Sequence, residues 1–376
     1  MTSALHISSL FDSGAIEVEA LDRADDIRLR IRADSHADFR QWFHFRLQGA
    51  AGQACRLQFL NAGEGTYPDG WRDYRAVASY DRAHWFRVPT QYDGATMTVD
   101  FTPEHDSVWL AYFEPYSDER HLSLLATCQR SPLAKLSHLG STVDGRDLTC
   151  VTLGQPGPGK KTIWMIARQH PGESMAEWLA EGLLARLLDP ADAVARALLA
   201  QADFHIVPNM NPDGSVRGNL RVNAAGANLN REWVEPSAAR SPEVLTVRAD
   251  MERTGCDFFI DVHGDETIPY VFCAGNEMLP NTTEAQKAEQ ARYLQALLAA
   301  SPEFQMRHGY AASKYSEDAL KLASKWVGNR FGCVSLTLEM PFKDNFDRPD
   351  QHVGWSGARS AKLGGELLAA LKAFWE

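Results

Sequence analysis

No apolar run in this sequence reaches the roughly 18 residues needed to span a bilayer. The first fourteen residues also lack the basic start, apolar stretch and small-residue cleavage site of a secretory leader. A cytoplasmic protein that does not enter membranes is the expectation. Positive charge is in short supply as well. Lys and Arg number 38 against 49 Asp and Glu, a net charge of −11, so nucleic acid is not an expected partner. The six cysteines are scattered without a CxxC pair, which excludes a dense disulfide framework and a cysteine-rich metal knuckle. No internal repeat stands out. What remains is ordinary globular material: 376 residues, 44% hydrophobic and 23% charged, enough for two or three domains or one large one.

The two halves of the chain differ in texture. Over residues 16–128, short alternating or aromatic-rich stretches such as IRLRIRAD, QWFHFRLQG, CRLQFLNAG and VWLAYFEPY are broken by turn residues. That spacing predicts an antiparallel β-sandwich. A helix is expected only at its end, in SDERHLSLLATCQ. Beyond it, apolar runs (KTIWMIARQ, DFHIVPNM, CDFFIDVHG, CVSLTLEM) alternate with amphipathic segments such as SMAEWLAEGLLARLLD, 283–300 and 356–375. Alternation of this kind predicts an α/β domain with a mixed, mostly parallel sheet flanked by helices. We therefore expect a sandwich domain over 1–130 and a second domain over 131–376. GQPGPGK, at 154–160, reads as a hairpin turn; it lacks the spacing of a phosphate-binding loop.

Chemistry-bearing residues cluster at expected strand ends. In ARQHPGESMAEW, His170 and Glu173 lie between an apolar strand and a helix, three residues apart. In DFFIDVHGDE, His263 closes another apolar strand, where functional groups of open α/β sheets gather. Catalytic zinc takes about three protein ligands of this type and keeps one position open. A Glu in that position could instead simply favour a helix start, and each His could be a loop histidine. Two histidines at separate strand ends, one of them with a Glu three residues on, are a better match to a metal site. Between them runs VPNMNPDGSVRGNLRVNAAGANLNREW, rich in Asn, Asp and Gly, with almost no helical pattern. Long irregular segments are kept mainly for function. It carries Arg217, Arg221 and Arg231 beside Asn230, and a guanidinium fork suits a carboxylate. Last, CVSLTLEMPFKD puts Glu339 at the end of a strongly apolar strand. A carboxylate there is costly to bury unless it is paired or used, and it could act as a general base.

Taken in order, HPGE, NMNPDG, GNLR, NLNR, DVHG and LEMPF resemble the zinc metallocarboxypeptidases, in particular a bacterial-type member of the cytosolic, deglutamylating branch. WFHFRL, GTYPDGWRDYRAVASY, HWFRVP and AYFEPYS resemble that branch's N-terminal sandwich, so the likeness covers nearly the whole chain. It implies one zinc ion per chain, held by His170, Glu173 and His263, with Glu339 as general base and proton shuttle. It implies that Arg221 polarises the scissile carbonyl, and that Asn230 and Arg231 grip the terminal carboxylate of a peptide or protein substrate. A mobile tyrosine ahead of the catalytic strand is matched by Tyr315, with Tyr310 as its competitor.

The sequence departs from the branch at His263-Gly264-Asp265, where eukaryotic members often read HGH. Removal of C-terminal glutamate requires a basic group in the side-chain pocket, and Lys325, Arg330 and Lys343 flank the catalytic strand as candidates. A preference for C-terminal Glu or Asp is the corresponding expectation. Two other readings share features with the chain. A zinc amidohydrolase of the aspartoacylase or succinylglutamate desuccinylase kind has a similar HxxE…H site. A catalytically silent binding module would use the sandwich to dock a partner.

Overall fold

In a computed structural model, residues 4–311 and 316–376 are described. The first ten strands are short: β1 (His6–Ser8), β2 (Glu17–Ala20), β3 (Ile27–Arg30), β4 (His44–Gln48), β5 (Cys55–Phe59), β6 (Val77–Ser79), β7 (Trp85–Arg87), β8 (Thr90–Tyr92), β9 (Met97–Phe101) and β10 (Ser107–Ala111). They form two five-stranded sheets, β1-β4-β10-β6-β7 and β2-β3-β5-β9-β8. Alternation decides which face is buried: Ile27 and Leu29 point inward on β3, and Cys55, Leu57 and Phe59 on β5. Phe45 of β4 and the adjoining Phe43 meet Phe59 of the facing sheet at ring-centroid distances of 6.3 and 4.7 Å, so the two inner faces share one core. The strand pairs are antiparallel except β3 with β5.

A helix, α1 (Asp118–Gln129), leads into the second domain. Its elements run β11 (Ala134–Ser141), β12 (Asp147–Leu153), β13 (Lys161–Ala167), α2 (Met175–Leu187), α3 (Ala193–Gln201), β14 (Ala202–Val207), α4 (Pro212–Arg217), α5 (Pro242–Thr254), β15 (Phe258–Asp265), β16 (Phe272–Ala274), α6 (Glu284–Ala300), α7 (Ala323–Phe331), β17 (Val334–Pro341) and α8 (Gly357–Trp375). The sheet order is β11-β12-β14-β13-β15-β17-β16. Its centre, β14-β13-β15-β17, is parallel and the outer pairs are antiparallel. Both faces are covered. Ile163 and Met165 of β13 enter the core shared with α2 and α8, while Trp164 and Ile166 enter a second cluster with α5 and α7.

Two expectations need correction. The 154–160 connection is not a hairpin turn, because β12 and β13 are not neighbours: β14 lies between them, antiparallel to one and parallel to the other. Turn residues allow a reversal, but pairing is decided by β14, buried along its whole length. The segment after β14 also contains a helix, α4, capped by the Asn211 side chain and ended by Gly218 at φ 68°. Six residues are too few to show a helical period.

The two domains share buried polar contacts. Arg87 of β7 donates through Nη2 to the carbonyls of Phe342, Lys343 and Trp355 at 2.8, 2.9 and 3.1 Å. Tyr112 stacks on Phe342 at 4.5 Å, directly after the strand that carries Glu339.

Candidate active site

The carboxyl ends of β13, β15 and β17 open onto one cleft of about 1180 Å³. Beyond β13 the chain turns sharply: Arg168 adopts φ 60°, and its buried guanidinium donates to Pro171 O, Tyr116 O and Glu177. This fixes the loop that presents His170 and Glu173 at the start of α2. His263 lies within β15, in direct register with Glu339 of β17. Parallel partners in register face the same side, so the sheet itself brings this pair together. A Cβ at Gly264 would meet Met175 Sδ at 2.5 Å, so any larger residue there would have to displace that buried side chain.

His170, Glu173 and His263 are all buried, and each offers a ligand atom within 4.8 Å of the others. His170 Nδ1 and His263 Nδ1 each lie 2.7 Å from a Glu173 oxygen and 3.1 Å from one another. Their other edges are occupied. His170 Nε2 is 3.1 Å from Asn228 Oδ1, and His263 Nε2 is 2.9 Å from Asp261 Oδ2, which also accepts from Gln169 at 2.8 Å. Orientation of this kind leaves both Nδ1 atoms facing a common point, the arrangement of ligating imidazoles. Burial, then the nearby Arg221 charge, lowers His170 to about 3, so it is a neutral donor. Burial opposes the charged form of His263 too, but Asp261 and Glu173 outweigh it and raise that group. Two nitrogens and a carboxylate converging on one point fit a zinc ion.

Glu339 is buried beside this group. Its Oε1 accepts from the Tyr310 hydroxyl at 2.9 Å, and Oε2 has no partner among the described residues. Burial, together with the charges of Glu173 and Asp265, pushes its carboxyl well above the usual range, against the pull of His263. The Tyr310 hydroxyl is also 3.0 Å from Asp265 Oδ2, so its single proton faces two carboxylates and the HGD departure places one of them in the cleft lining. Tyr315 lies outside the described residues.

Arg221, Asn230 and Arg231 line the same cleft. Asn230 Oδ1 accepts from the Ala323 amide at the start of α7, and its Nδ2 is 3.3 Å from His263 Nε2. Arg231 donates to Asn230 O at 2.6 Å. The three basic pocket candidates separate. Lys325 is buried and lines the cleft, with its amine on Gly275 O and burial lowering it to about 8. Arg330 is exposed on the outer face of α7, 3.5 Å from Glu252. Lys343 donates to Arg72 O at 2.7 Å, at the joint between domains. Neither Arg330 nor Lys343 is among the residues lining the cleft. Asn329 and Arg330, four and five positions after Lys325, fall on the exposed side of the helix, and after β17 the chain runs toward the sandwich.

Comparisons with known proteins place the fold in a family. Residues 7–113 match the family described as cytosolic carboxypeptidase N-terminal domain, and residues 122–353 match the family described as zinc carboxypeptidase. The chain belongs to the zinc carboxypeptidase family. As a carboxypeptidase it is a peptidase of the hydrolase class. It is similar to a metallo-carboxypeptidase from Burkholderia cenocepacia at 60% identity, over 99% of each chain, with a TM-score of 0.98. A metallo-carboxypeptidase from Pseudomonas aeruginosa, solved in complex with (2-guanidinoethylmercapto)succinic acid, is 46% identical over 98% of each chain, with a TM-score of 0.95. Mouse cytosolic carboxypeptidase 6 is 27% identical over 90% of this chain and 67% of its own length.

Several site residues of this carboxypeptidase escape a reading of its sequence. Asp261 was open to inference, since positions i and i+2 of a strand share a face and His263 is the i+2 residue. Gln169 has no comparable signal. Tyr67 and Glu266 line the cleft from the sandwich side and from just past β15. Glu266 is buried with one carboxylate oxygen unpartnered among the described residues. Nothing local in the sequence points to either.

Proposed function

We propose that this chain removes the C-terminal residue of peptides or proteins, with one zinc ion held by His170, Glu173 and His263. The observation that carries the reading is the His263–Glu339 register pair beside the His170–Glu173 turn, facing a cleft that also holds Arg221 and Arg231. Zinc, when bound, supplies a Lewis acid that lowers the pKa of a water and polarises a carbonyl. Glu339 takes a proton from the attacking water through its free oxygen and passes it to the leaving amine. Arg221 stabilises the developing oxyanion, and Arg231 with Asn230 holds the terminal carboxylate. Tyr310 supports the carboxylate of Glu339. With the domain division at about residue 130, the second domain carries the chemistry and the sandwich contributes Tyr67 to the lining of the cleft.

Lys325 supports a preference for a C-terminal Glu or Asp. It is the one of the three candidate bases that lines the cleft, near Thr337 on the face of β17 that also carries Glu339. Burial holds it to about 8, so its charge and any acidic preference decline as pH rises through that value. The test is residue release from zinc-loaded protein on peptides ending in Glu, Asp, Lys, Leu or Phe. Glutamate release about ten-fold above leucine release at pH 7, reduced in Lys325→Gln, is the expected result, close to the lower end of the ~1.5–3 kcal/mol of a hydrogen bond to a charged group. Equal release of Glu and Leu would remove the acidic preference; no release from any peptide would remove the carboxypeptidase reading of this chain.

A further inference from the structure

We propose that Asp34 of the N-terminal sandwich is a positioning residue for Arg221, so that the sandwich is part of the catalytic apparatus. This rests on the role given to Arg221 above. Arg221 belongs to the irregular stretch after Gly218, outside the sheet. Among the described residues its guanidinium makes no side-chain hydrogen bond, although it lies in the cleft. Its position is set by the first domain in two ways.

The backbone is clamped. One carboxylate, Asp34, accepts from three successive amides: Leu220 at 2.5 Å, Arg221 at 2.7 Å and Val222 at 3.1 Å. Three consecutive N–H groups converging on an anion form a concave nest, and here the anion comes from another domain. Asp34 is itself 7% exposed, and its own amide is tied to Phe39 O at 2.8 Å, which closes the turn that presents it. The contact is reinforced on either side. Ser35 donates through its amide and hydroxyl to Asn219 Oδ1 at 3.0 and 3.1 Å, and Arg32 donates to Arg217 O.

The side chain is flanked. The Arg221 guanidinium carbon is 5.5 Å from the Tyr67 ring centroid and 6.0 Å from that of Phe39, both on the sandwich. Aromatic faces attract a guanidinium without saturating its donors. Arg221 is therefore held in place while its N–H groups stay available to a substrate oxygen. A carboxylate partner on the side chain would hold it more tightly and consume those donors.

The experiment uses Asp34→Asn and Asp34→Ala in the full-length, zinc-loaded protein, with Asn as the variant that keeps the shape and one acceptor. Peptide kcat should fall about ten- to hundred-fold, the scale for misplacing a catalytic group by about 1 Å, while KM stays within about two-fold. Zinc content should stay at the wild-type value. In an Arg221→Met background the Asp34 substitution should cause no further loss, which a merely structural role would not produce. Hydrogen exchange at the Leu220–Val222 amides should quicken at least about ten-fold, with β15 unchanged, since these amides lose their acceptor. Unchanged kcat, an equal loss in both backgrounds, or unchanged exchange at those amides would each overturn the proposal. Wild-type protein inactive on every peptide would instead remove the activity reading, with the exchange measurement still deciding the clamp.

Discussion

The two walls of the cleft are built on different physical terms. On one, His263 and Glu339 stand on adjacent parallel strands in direct register, and His170 and Glu173 occupy a turn fixed by the buried Arg168. On the other, Arg221, Asn230 and Arg231 lie in an irregular stretch with no ladder of its own. Three of its backbone amides, Leu220 to Val222, are satisfied by Asp34, and its Asn223 side chain donates to buried Glu243 at 3.1 Å. On the sheet wall, His263 and Glu339 are placed by hydrogen bonds that any strand makes; the clamp on Leu220 to Val222 in the loop wall comes from a side chain elsewhere in the chain. Perturbation should consequently stay local on the first wall and spread on the second.

The strongest test of the sheet wall is Glu339→Gln. The substitution preserves shape and removes the base, so turnover should fall by about 10²–10⁴-fold or more with metal content unchanged. Loss of zinc in that variant, read by metal analysis, would place Glu339 among the ligands and break the assignment of roles along the β15–β17 pair. Asp261→Asn is milder. It leaves the three ligands in place but weakens the group that orients His263, and zinc affinity measured by chelator competition should drop by about 10–100-fold. An unchanged affinity would mean that register alone orients the imidazole.

The smallest effect belongs to the loop wall. Glu243 is fully buried behind Asn223, with one oxygen unpartnered among the described residues, and burial raises its carboxyl to about 7. A folded-state value above the unfolded one means that the native state holds the proton through a window from about 4.5 to 7. Over that window the native state binds more protons than the unfolded state, so this group's contribution to stability declines as pH rises. Glu243→Gln should remove that slope, leaving the variant about 1–3 kcal/mol more stable relative to wild type at pH 8 than at pH 4.5. Denaturant unfolding at the two pH values measures it; an identical slope in the variant would show that the loop wall does not depend on this carboxylate's ionisation.

How much was legible follows the same division. His170, Glu173, His263 and Glu339 could be singled out because each interrupts or ends an apolar run, where a polar residue must be paired or used. Arg221, Asn230 and Arg231 were visible as residues of a long polar loop, though nothing in the loop said what would hold it. Lys325, Arg330 and Lys343 looked alike in sequence, since all three flank the catalytic strand. Helix rotation turned Arg330 outward and the path after β17 carried Lys343 to the domain joint, which leaves Lys325 in the cleft.

The 154–160 connection shows the limit for topology: turn residues announce a reversal but not which strand pairs next. The sequence by itself determined the order of a β-sandwich before an α/β domain and the four central strands of the sheet, because alternation and apolar runs are local and their burial has only a few solutions. Only the tertiary structure decided that Asp34 meets three amides nearly 190 positions away, that Tyr67 and Phe39 flank Arg221, and that Glu266 enters the cleft. Those contacts join segments with no shared periodicity, and they exist only once two separately patterned domains have packed together.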